Sequence, residues 1–238
     1  VMATNPPYMN NNVMTDTMKK FLNNKYPNSK TDLCTAFMEN NFVAYKGYFG
    51  MINQHSWMFL SSFENLRNDI INGENNIELM VHLGTRAFEE IGGEVVQTTS
   101  WIMRKTEEKN KSIFIKLNDL PDPKLKEKVY LEEINKKTDR TYNVDCKKLI
   151  NIPGMPIAYW ISLPLLKVFE QSERLIKNLD SKTGMTTGDN DRFLRNWYEI
   201  CSNKFYALNN YDEWYPYNKG GGYRKWYGNR ENLVLWNN

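Results

Sequence analysis

Apolar positions along this chain change their period several times, and each change marks an element. Val1–Thr4 is a short apolar stretch stopped by Pro6-Pro7. Proline cannot donate to a ladder, so the stretch reads as the end of a strand. Met9–Lys30 is polar and Asn-rich and reads as a loop with a short helix near Thr15–Asn23. Thr31-Asp32 offers a helix N-cap, after which Leu33, Ala36, Phe37, Phe42 and Val43 recur at roughly helical spacing until Lys46-Gly47. Tyr48–Asn53 reads as a strand. Ser61-Ser62 then caps a helix in which Phe63, Leu66, Ile70 and Ile71 share a face, and Gly73 stops it. Ile77–Leu83, Val95–Met103 and Ser112–Leu117 read as three more strands, the last two separated by the charged run Arg104–Lys111, a solvated turn.

Helices alternate with strands early, and strands then follow one another directly. That order predicts an α/β sheet finishing in an antiparallel hairpin. Lys124–Lys148 is charged and helix-prone with little apolar content, as in a connector. Ile152-Pro153-Gly154-Met155-Pro156 signals a boundary. Pro164–Leu179 reads as an amphipathic helix. Beyond Ser181 the composition shifts: of 32 aromatic residues, 13 lie between Phe193 and Trp236, with the turn Gly220-Gly221-Gly222 among them. The expected division is therefore 1–120, a connector over 121–154, and a third region over 155–238.

Composition narrows the class. With 238 residues, 41% hydrophobic and 25% charged, the chain can bury a core and is not of disordered composition. It contains no run of about 18 apolar residues and opens on no leader-like segment, so a cytoplasmic protein with no membrane partner is expected. The opening Val1, inside what reads as a strand, points to part of a longer protein or a truncated gene. Cys34, Cys146 and Cys201 are far apart and form no CxxC, and only His55 and His82 are present, so no metal site is expected. The cysteines read as buried thiols, His55 as a polar loop residue at a strand end, and His82 as a satisfied sheet residue. The formal net charge of +3 permits nucleic-acid binding without arguing for it, and the 31 asparagines reflect codon bias.

The tetrapeptide Asn5-Pro6-Pro7-Tyr8 carries the most chemistry. In an α/β sheet ligands bind at the carboxyl ends of strands. Two prolines stiffen the turn and remove two donors, which leaves the Asn5 side-chain carbonyl and the Pro6 carbonyl as acceptors. Together they can grip the hydrogens of an exocyclic amine or amide NH2, favouring a more tetrahedral nitrogen with a localised lone pair. Tyr8 can stack on the planar group that carries it. The alternative is a proline turn that merely ends a strand.

NPPY after an apolar strand resembles motif IV of S-adenosylmethionine-dependent amino-methyltransferases. Thr31–Tyr45 is similar to their motif V helix, Gly47–Trp57 to the motif VI strand, Ser61–Ile71 to the motif VII helix, and Leu83–Arg104 to motif VIII and the final hairpin. The strings NQHSWMFLSSFENLR, HLGTRAFEEIGGEVVQTTSW, TGMTTGDNDRFLRNWYE and KGGGYRKWYGN resemble the large adenine methyltransferases of BREX-type phage-defence systems.

The resemblance implies the C-terminal half of a Rossmann-like methyltransferase sheet, followed by a mixed α/β or α+β target-recognition region. It implies methyl transfer from S-adenosylmethionine to the N6 amino group of adenine. Asn5 and Pro6 would hold the amine and Tyr8 would stack on the base, with Pro7 part of the same catalytic motif, in double-stranded DNA whose adenine has been flipped out. Phe88 would pack on the flipped base, or else be a core residue under the hairpin. Asp32 would lie near the cofactor, unless its role is the N-cap. The family's glycine-rich cofactor turn precedes NPPY in chain order and is absent from this sequence. Gly92-Gly93 lies late, in the hairpin, and Gly220–Gly222 has no strand before it and no helix after it.

In the family a recognition region follows the catalytic fold. Arg192, Arg195, Lys204, Lys219, Arg224, Lys225 and Arg230 would contact phosphate there, with aromatics stacking nearby. Asp189, Asp191, Glu199, Asp212, Glu213 and Glu231 nearly cancel that charge, so a small aromatic core with a mixed surface is the competing reading. Gly184–Asp189 reads as an exposed loop able to offer backbone N–H groups to a phosphate. Two other functions compete: a protein-glutamine methyltransferase, and a non-catalytic DNA-binding or assembly module working with defence-system partners.

Overall fold

The computed structural model describes residues 2–44, 47–88, 96–136, 138–180, 182, 184–201, 204 and 213–236. Val1, Lys46, Gly92-Gly93, Val95, Ser181 and Asp212, all used above, lie outside them, as does the side chain of Val43. The chain forms two units, Val1–Glu173 and Arg174–Asn238.

The first unit is built on a mixed six-stranded sheet in the order β1-β2-β4-β3-β5-β6. β1 (Met2–Thr4) runs parallel to β2 (Tyr48–Gln54), with Thr4 opposite Met51. The connection carries α1 (Asp16–Lys25) and α2 (Leu33–Ala44). Thr15 caps α1 through its hydroxyl, and Tyr26 ends it in a non-helical conformation. After β2 come a 3-10 turn and α3 (Glu64–Ile71), then β3 (Asn75–Gly84) and β4 (Thr98–Lys105).

β3 and β4 form the expected antiparallel pair, but β4 does not end the sheet. It inserts between β2 and β3, antiparallel to both. With that edge of β3 occupied, β5 (Ser112–Lys116) takes the other, parallel to β3, and β6 (Thr141–Val144) pairs antiparallel to β5. The charged segment read as a connector thus holds α4 (Pro123–Lys136) and an edge strand of the main sheet.

Strand alternation explains which face each helix covers. Phe49, Met51, Met80, Trp101, Met103 and Phe114 share one core with Met38 and Phe42 of α2 and Leu66 and Ile70 of α3. The opposite face buries Val81, Ile115 and Leu117 against Val129 and Tyr130 of α4. A smaller core joins α1 to α2 through Met14, Leu22 and Ala36.

The proline-rich segment 152–156 does not separate domains. Ile152, Ile157 and Tyr159 enter the main core, and α5 (Leu163–Gln171) adds Leu166 to it. Arg67 pins that segment. Its fully buried guanidinium donates from Nη1 to the carbonyls of Trp57 (2.9 Å) and Leu60 (2.7 Å) and from Nε and Nη2 to Gly154 (3.0 and 2.6 Å). α5 closes at Ser172, whose N–H meets Val168 O (2.8 Å), which is earlier than the apolar spacing through Leu179 suggests. Leu175, Ile176 and Leu179 are exposed.

In the second unit, β7 (Leu194–Asn196), β9 (Asn232–Leu235) and β8 (Trp214–Tyr217) form an antiparallel sheet in that order, preceded by the single turn α6 (Asn190–Phe193). Among its described residues Leu194, Trp214, Leu233 and Val234 are the buried side chains.

Arg67→Met should lower the free energy of unfolding by roughly 3 kcal/mol or more, since three carbonyls lose their donors at about 1–3 kcal/mol each. Urea denaturation checks this. A loss under about 1 kcal/mol would show that the pin is dispensable.

Candidate active site

β1, β2 and β3 all point the same way, so Asn5, His55 and the loop after Gly84 leave one edge of the sheet. At that edge Asn5 is exposed, Pro6 is buried and Pro7 is exposed. The buried proline fixes the turn while Asn5 faces solvent. Among the described residues no donor takes the Asn5 amide oxygen or the Pro6 carbonyl. Both acceptors required by the sequence argument are thus unoccupied.

The chain after Tyr8 is clamped to the start of α2. Asn11 N–H donates to Thr31 O and Leu33 N–H to Met9 O, both at 2.9 Å. Asp32, also buried, caps α2 by accepting from Cys34 N–H at 3.0 Å. Of the two roles considered for Asp32, the structure shows the N-cap. Tyr8 points its hydroxyl into this corner, where it is buried with no hydrogen-bond partner. Burial, reinforced by Cys34 and Asp32, pushes Tyr8 up to about 12, so the phenol stays protonated. Burial and the Asp32 carboxylate likewise push the Cys34 thiol well up. Cys34 is therefore inert, whereas Cys201 is exposed, contrary to its reading as a buried thiol.

β2 is locked at the same edge by Asn53. Its fully buried side-chain oxygen accepts from Trp57 Nε1 (3.2 Å), Thr99 Oγ1 (3.2 Å) and Trp101 Nε1 (3.1 Å). Its Nδ2 faces Met38 Sδ at 2.9 Å. One amide thus ties β2, β4, the turn after β2, and α2.

The loop carrying Phe88 is held from below. Gly84 has φ +72°, and a Cβ there would lie 2.7 Å from the Asn118 backbone, so the tight exit from β3 requires glycine. Buried Lys126 of α4 donates to the carbonyls of Leu83 (2.6 Å) and Thr85. Phe88 is half-buried at this edge and, among the described residues, stacks on no other ring. It is absent from the hydrophobic cores.

A chain of polar groups escaped the sequence reading. His55 Nδ1 lies 3.0 Å from His82 Nε2, and His82 Nδ1 lies 3.1 Å from Tyr159 Oη. Burial pulls both imidazoles down, His82 to about 3. Burial also raises Tyr159, so its hydroxyl keeps its proton. The three groups form one relay in which each contact has one donor and one acceptor, and the tautomer of the two neutral imidazoles sets its direction. Trp160 stacks on His82 and Phe59 packs edge-on to His55. Each histidine taken singly reads as unremarkable. They meet across β4, one at the end of β2 and the other on β3, a neighbourhood set by the strand order.

The predicted phosphate contacts all lie in the second unit. Arg192, Lys204, Lys219, Arg224, Lys225 and Arg230 are exposed. Arg195 is half-buried, and its guanidinium is engaged by Asp191 O and Leu194 O, both at 2.6 Å. Asp189 of the Gly184–Asp189 loop caps α6 by accepting from Arg192 N–H at 3.1 Å. Gly220–Gly222 follows β8, contrary to the reading that no strand precedes it, but leads into β9 and opens no helix.

Residues 1–88 match the family described as Eco57I restriction-modification methylase. The whole chain is 41% identical, over 249 aligned positions, to adenine-specific methyltransferase PglX of Lacticaseibacillus casei (strain Zhang), covering 20% of that protein. It is 39% identical over 245 positions to adenine-specific methyltransferase BrxX of Escherichia coli O9:H4 (strain HS), covering 19% of it. The chain thus spans about a fifth of the length of the curated relatives it matches. A modification subunit of a putative type I restriction enzyme from Vibrio vulnificus YJ016 superposes with a TM-score of 0.46 at 9% identity, over 62% of this chain and 34% of that one.

The histidine chain predicts a pH dependence. His82 titrates at about 3 when folded and near 6.5 when unfolded, so between those values the unfolded chain binds more protons. Stability then falls as pH drops through that window, and His82 alone accounts for about 2 kcal/mol by pH 5. Melting curves of wild type and His82→Gln between pH 7.5 and 4.5 check this. The variant should show a shallower loss, and parallel curves would refute the buried neutral imidazole.

Proposed function

We propose that this chain carries the amine-holding part of an adenine-specific DNA methyltransferase, in which the methyl group of S-adenosylmethionine goes to the N6 amino group of adenine. One observation supports this most. The Asn5 and Pro6 acceptors stand free at the carboxyl edge of a mixed sheet, in a chain 41% identical throughout to an adenine-specific methyltransferase.

The adenine N6 lone pair is delocalised into the ring, and the amine is a poor nucleophile. The Asn5 side-chain oxygen and the Pro6 carbonyl each accept one N6 hydrogen, which favours a more tetrahedral nitrogen with its lone pair localised. Pro6 and Pro7 hold the two acceptors in place, so little reorganisation is needed when charge develops. Tyr8, its hydroxyl turned inward, offers a ring face to the base, and Phe88 in a loop of the same edge covers it. No strong general base is needed before methyl transfer, and none of the described groups here is a poised one: burial lowers the basicity of both histidines, and Asp32 is occupied as a cap. A base inside a duplex cannot reach such an edge, so the adenine is extruded first.

The described residues do not make a cradle for S-adenosylmethionine. No glycine-rich turn among them follows a strand and opens a helix, and the one acidic candidate, Asp32, is buried with its carboxylate on Cys34 N–H. The chain's own contribution is to hold the acceptor base. Its basic, aromatic second unit would contribute DNA contacts through Arg192, Arg195, Lys219, Arg224, Lys225 and Arg230. The restriction-modification and BREX setting of its relatives suggests a cytoplasmic defence role alongside protein partners.

Two outcomes test this reading. In cells expressing the gene in its full genomic reading frame, Asn5→Ala should cut N6-methyladenine at the modified sites roughly 100-fold or more, as losing a preorganised polar contact does elsewhere. Retained methylation by sequencing would sink the mechanism. The 238-residue chain alone should show no S-adenosylmethionine binding by calorimetry at micromolar ligand. A micromolar Kd would mean that its own residues form the cradle after all.

A further inference from the structure

We propose that the tip of the β8–β9 connection is a base-stacking finger, with Tyr223 and Trp226 taking the exposed faces of unpaired nucleobases and Arg224 and Lys225 the flanking phosphates. This rests on the reading of the second unit as DNA-binding and assigns its aromatic residues a separate task.

The finger is a closed structure. Asn229 Nδ2 donates to Gly222 O at 3.2 Å and pulls the neck together. Asn229 itself has φ 58°, and Gly228 has φ 152°. A Cβ at Gly228 would lie 2.5 Å from Arg224 Cγ, and one at Gly221 would lie 2.9 Å from Asn229 Oδ1. Glycine at these points lets the neck close, and closure forces Tyr223-Arg224-Lys225-Trp226-Tyr227 outward. Trp226 is 89% exposed, Tyr223 84% and Tyr227 73%. By contrast, Trp57, Trp101 and Trp214 are buried. Large rings left this open at the head of a closed loop have no role in the core of their own unit.

Their neighbours suggest what covers them. Residues 218–231 contain Lys219, Arg224, Lys225 and Arg230 against the single acid Glu231. The Arg230 guanidinium lies 4.3 Å from the Tyr227 ring centre and donates to its hydroxyl at 3.2 Å, so one face of Tyr227 is already covered. Lys225 Nζ lies 5.9 Å from the Trp226 ring centre. Among the described residues no aromatic ring packs on Tyr223 or Trp226. Two adjacent cations, Arg224 and Lys225, flanked by the rings of Tyr223 and Trp226 fit a polyanion that also offers flat faces. Nucleic acid has both, and bases become available wherever a strand is single or a base has left its stack. An apolar protein groove would match the rings and leave the cations without partners.

The test uses the 238-residue chain and three labelled DNAs: a single strand, a perfect duplex, and the same duplex with one unpaired 2-aminopurine. Anisotropy at several salt concentrations gives affinity and salt slope, and 2-aminopurine fluorescence reports stacking. Wild type should prefer the two DNAs with open bases by about tenfold or more and quench the probe. Tyr223→Ala with Trp226→Ala should abolish both preference and quenching while leaving the salt slope unchanged, and Trp226→Phe should restore part of the quenching. Arg224→Ala with Lys225→Ala should weaken binding to all three DNAs and lower the duplex slope by about 2. Unchanged thermal melting shows that these exposed substitutions leave the fold intact.

If the aromatic variant binds and quenches like wild type while the cation variant is weakened, the finger is overturned and the DNA reading stands. If the chain binds none of the DNAs, both fail.

Discussion

The first unit depends on a buried amide oxygen. Asn53 accepts three hydrogen bonds from Trp57, Thr99 and Trp101, two of them from indole nitrogens whose rings fill the core. A buried indole N–H without a partner loses its hydration and gains nothing, so the two tryptophans can be buried only if something accepts from them. Asn53 meets that need from the last turn of β2, and thereby fixes the strand end against β4, the following turn and Met38 of α2. The end of β2, at the edge from which Asn5, His55 and the Phe88 loop emerge, is tied to β4 and α2 through this one amide.

Other buried polar groups extend the same principle. Arg67 and Lys126 are buried cations, and their hydrogen-bond acceptors are backbone carbonyls. Each carbonyl belongs to a segment with no regular ladder: the turn after β2, the Gly154 bend, and the exit from β3. Backbone acceptors in irregular buried segments need donors, and a long cationic side chain can reach several at once. Burial pulls both cations down from their ordinary values, and the hydrogen bonds offset that desolvation. The His55–His82–Tyr159 chain follows the same logic with neutral groups. The site edge is thus assembled by residues that never touch the proposed base.

The second unit is organised differently. Its described residues form a three-stranded sheet with few buried apolar side chains, and they place many of their aromatic rings on the surface. Arg192 over Phe193 and Arg230 over Tyr227 show cations already engaging ring faces. Of the two readings of the aromatic tail, a packed small core accounts for Trp214 and leaves out Tyr223, Trp226 and Tyr227. Those three rings make the surface unusual, and glycine and Asn229 at the loop neck hold them there.

The sequence by itself determined what is decided within a few residues. Strand and helix periods located β1 to β5, α2 and α3 closely. The prolines fixed the turn at Asn5–Tyr8, and Asp32 marked the start of α2. These are local properties: a side chain's face follows from spacing, a cap acts across two or three residues, and proline constrains its own φ. Tertiary structure alone decided the rest. The charged stretch 124–148 carries no alternating apolar pattern because β6 is a short edge strand, so it read as a connector. The proline-rich segment looked like a boundary because nothing local reveals that Arg67, 87 positions before Gly154, reaches its carbonyl. His55 and His82 are ordinary apart and become a unit only through the strand order that places them on either side of β4. Hydrogen bonds between distant segments depend on which edges pair and on what is denied water. Both are properties of the packed chain, and neither has a period for a sequence to display.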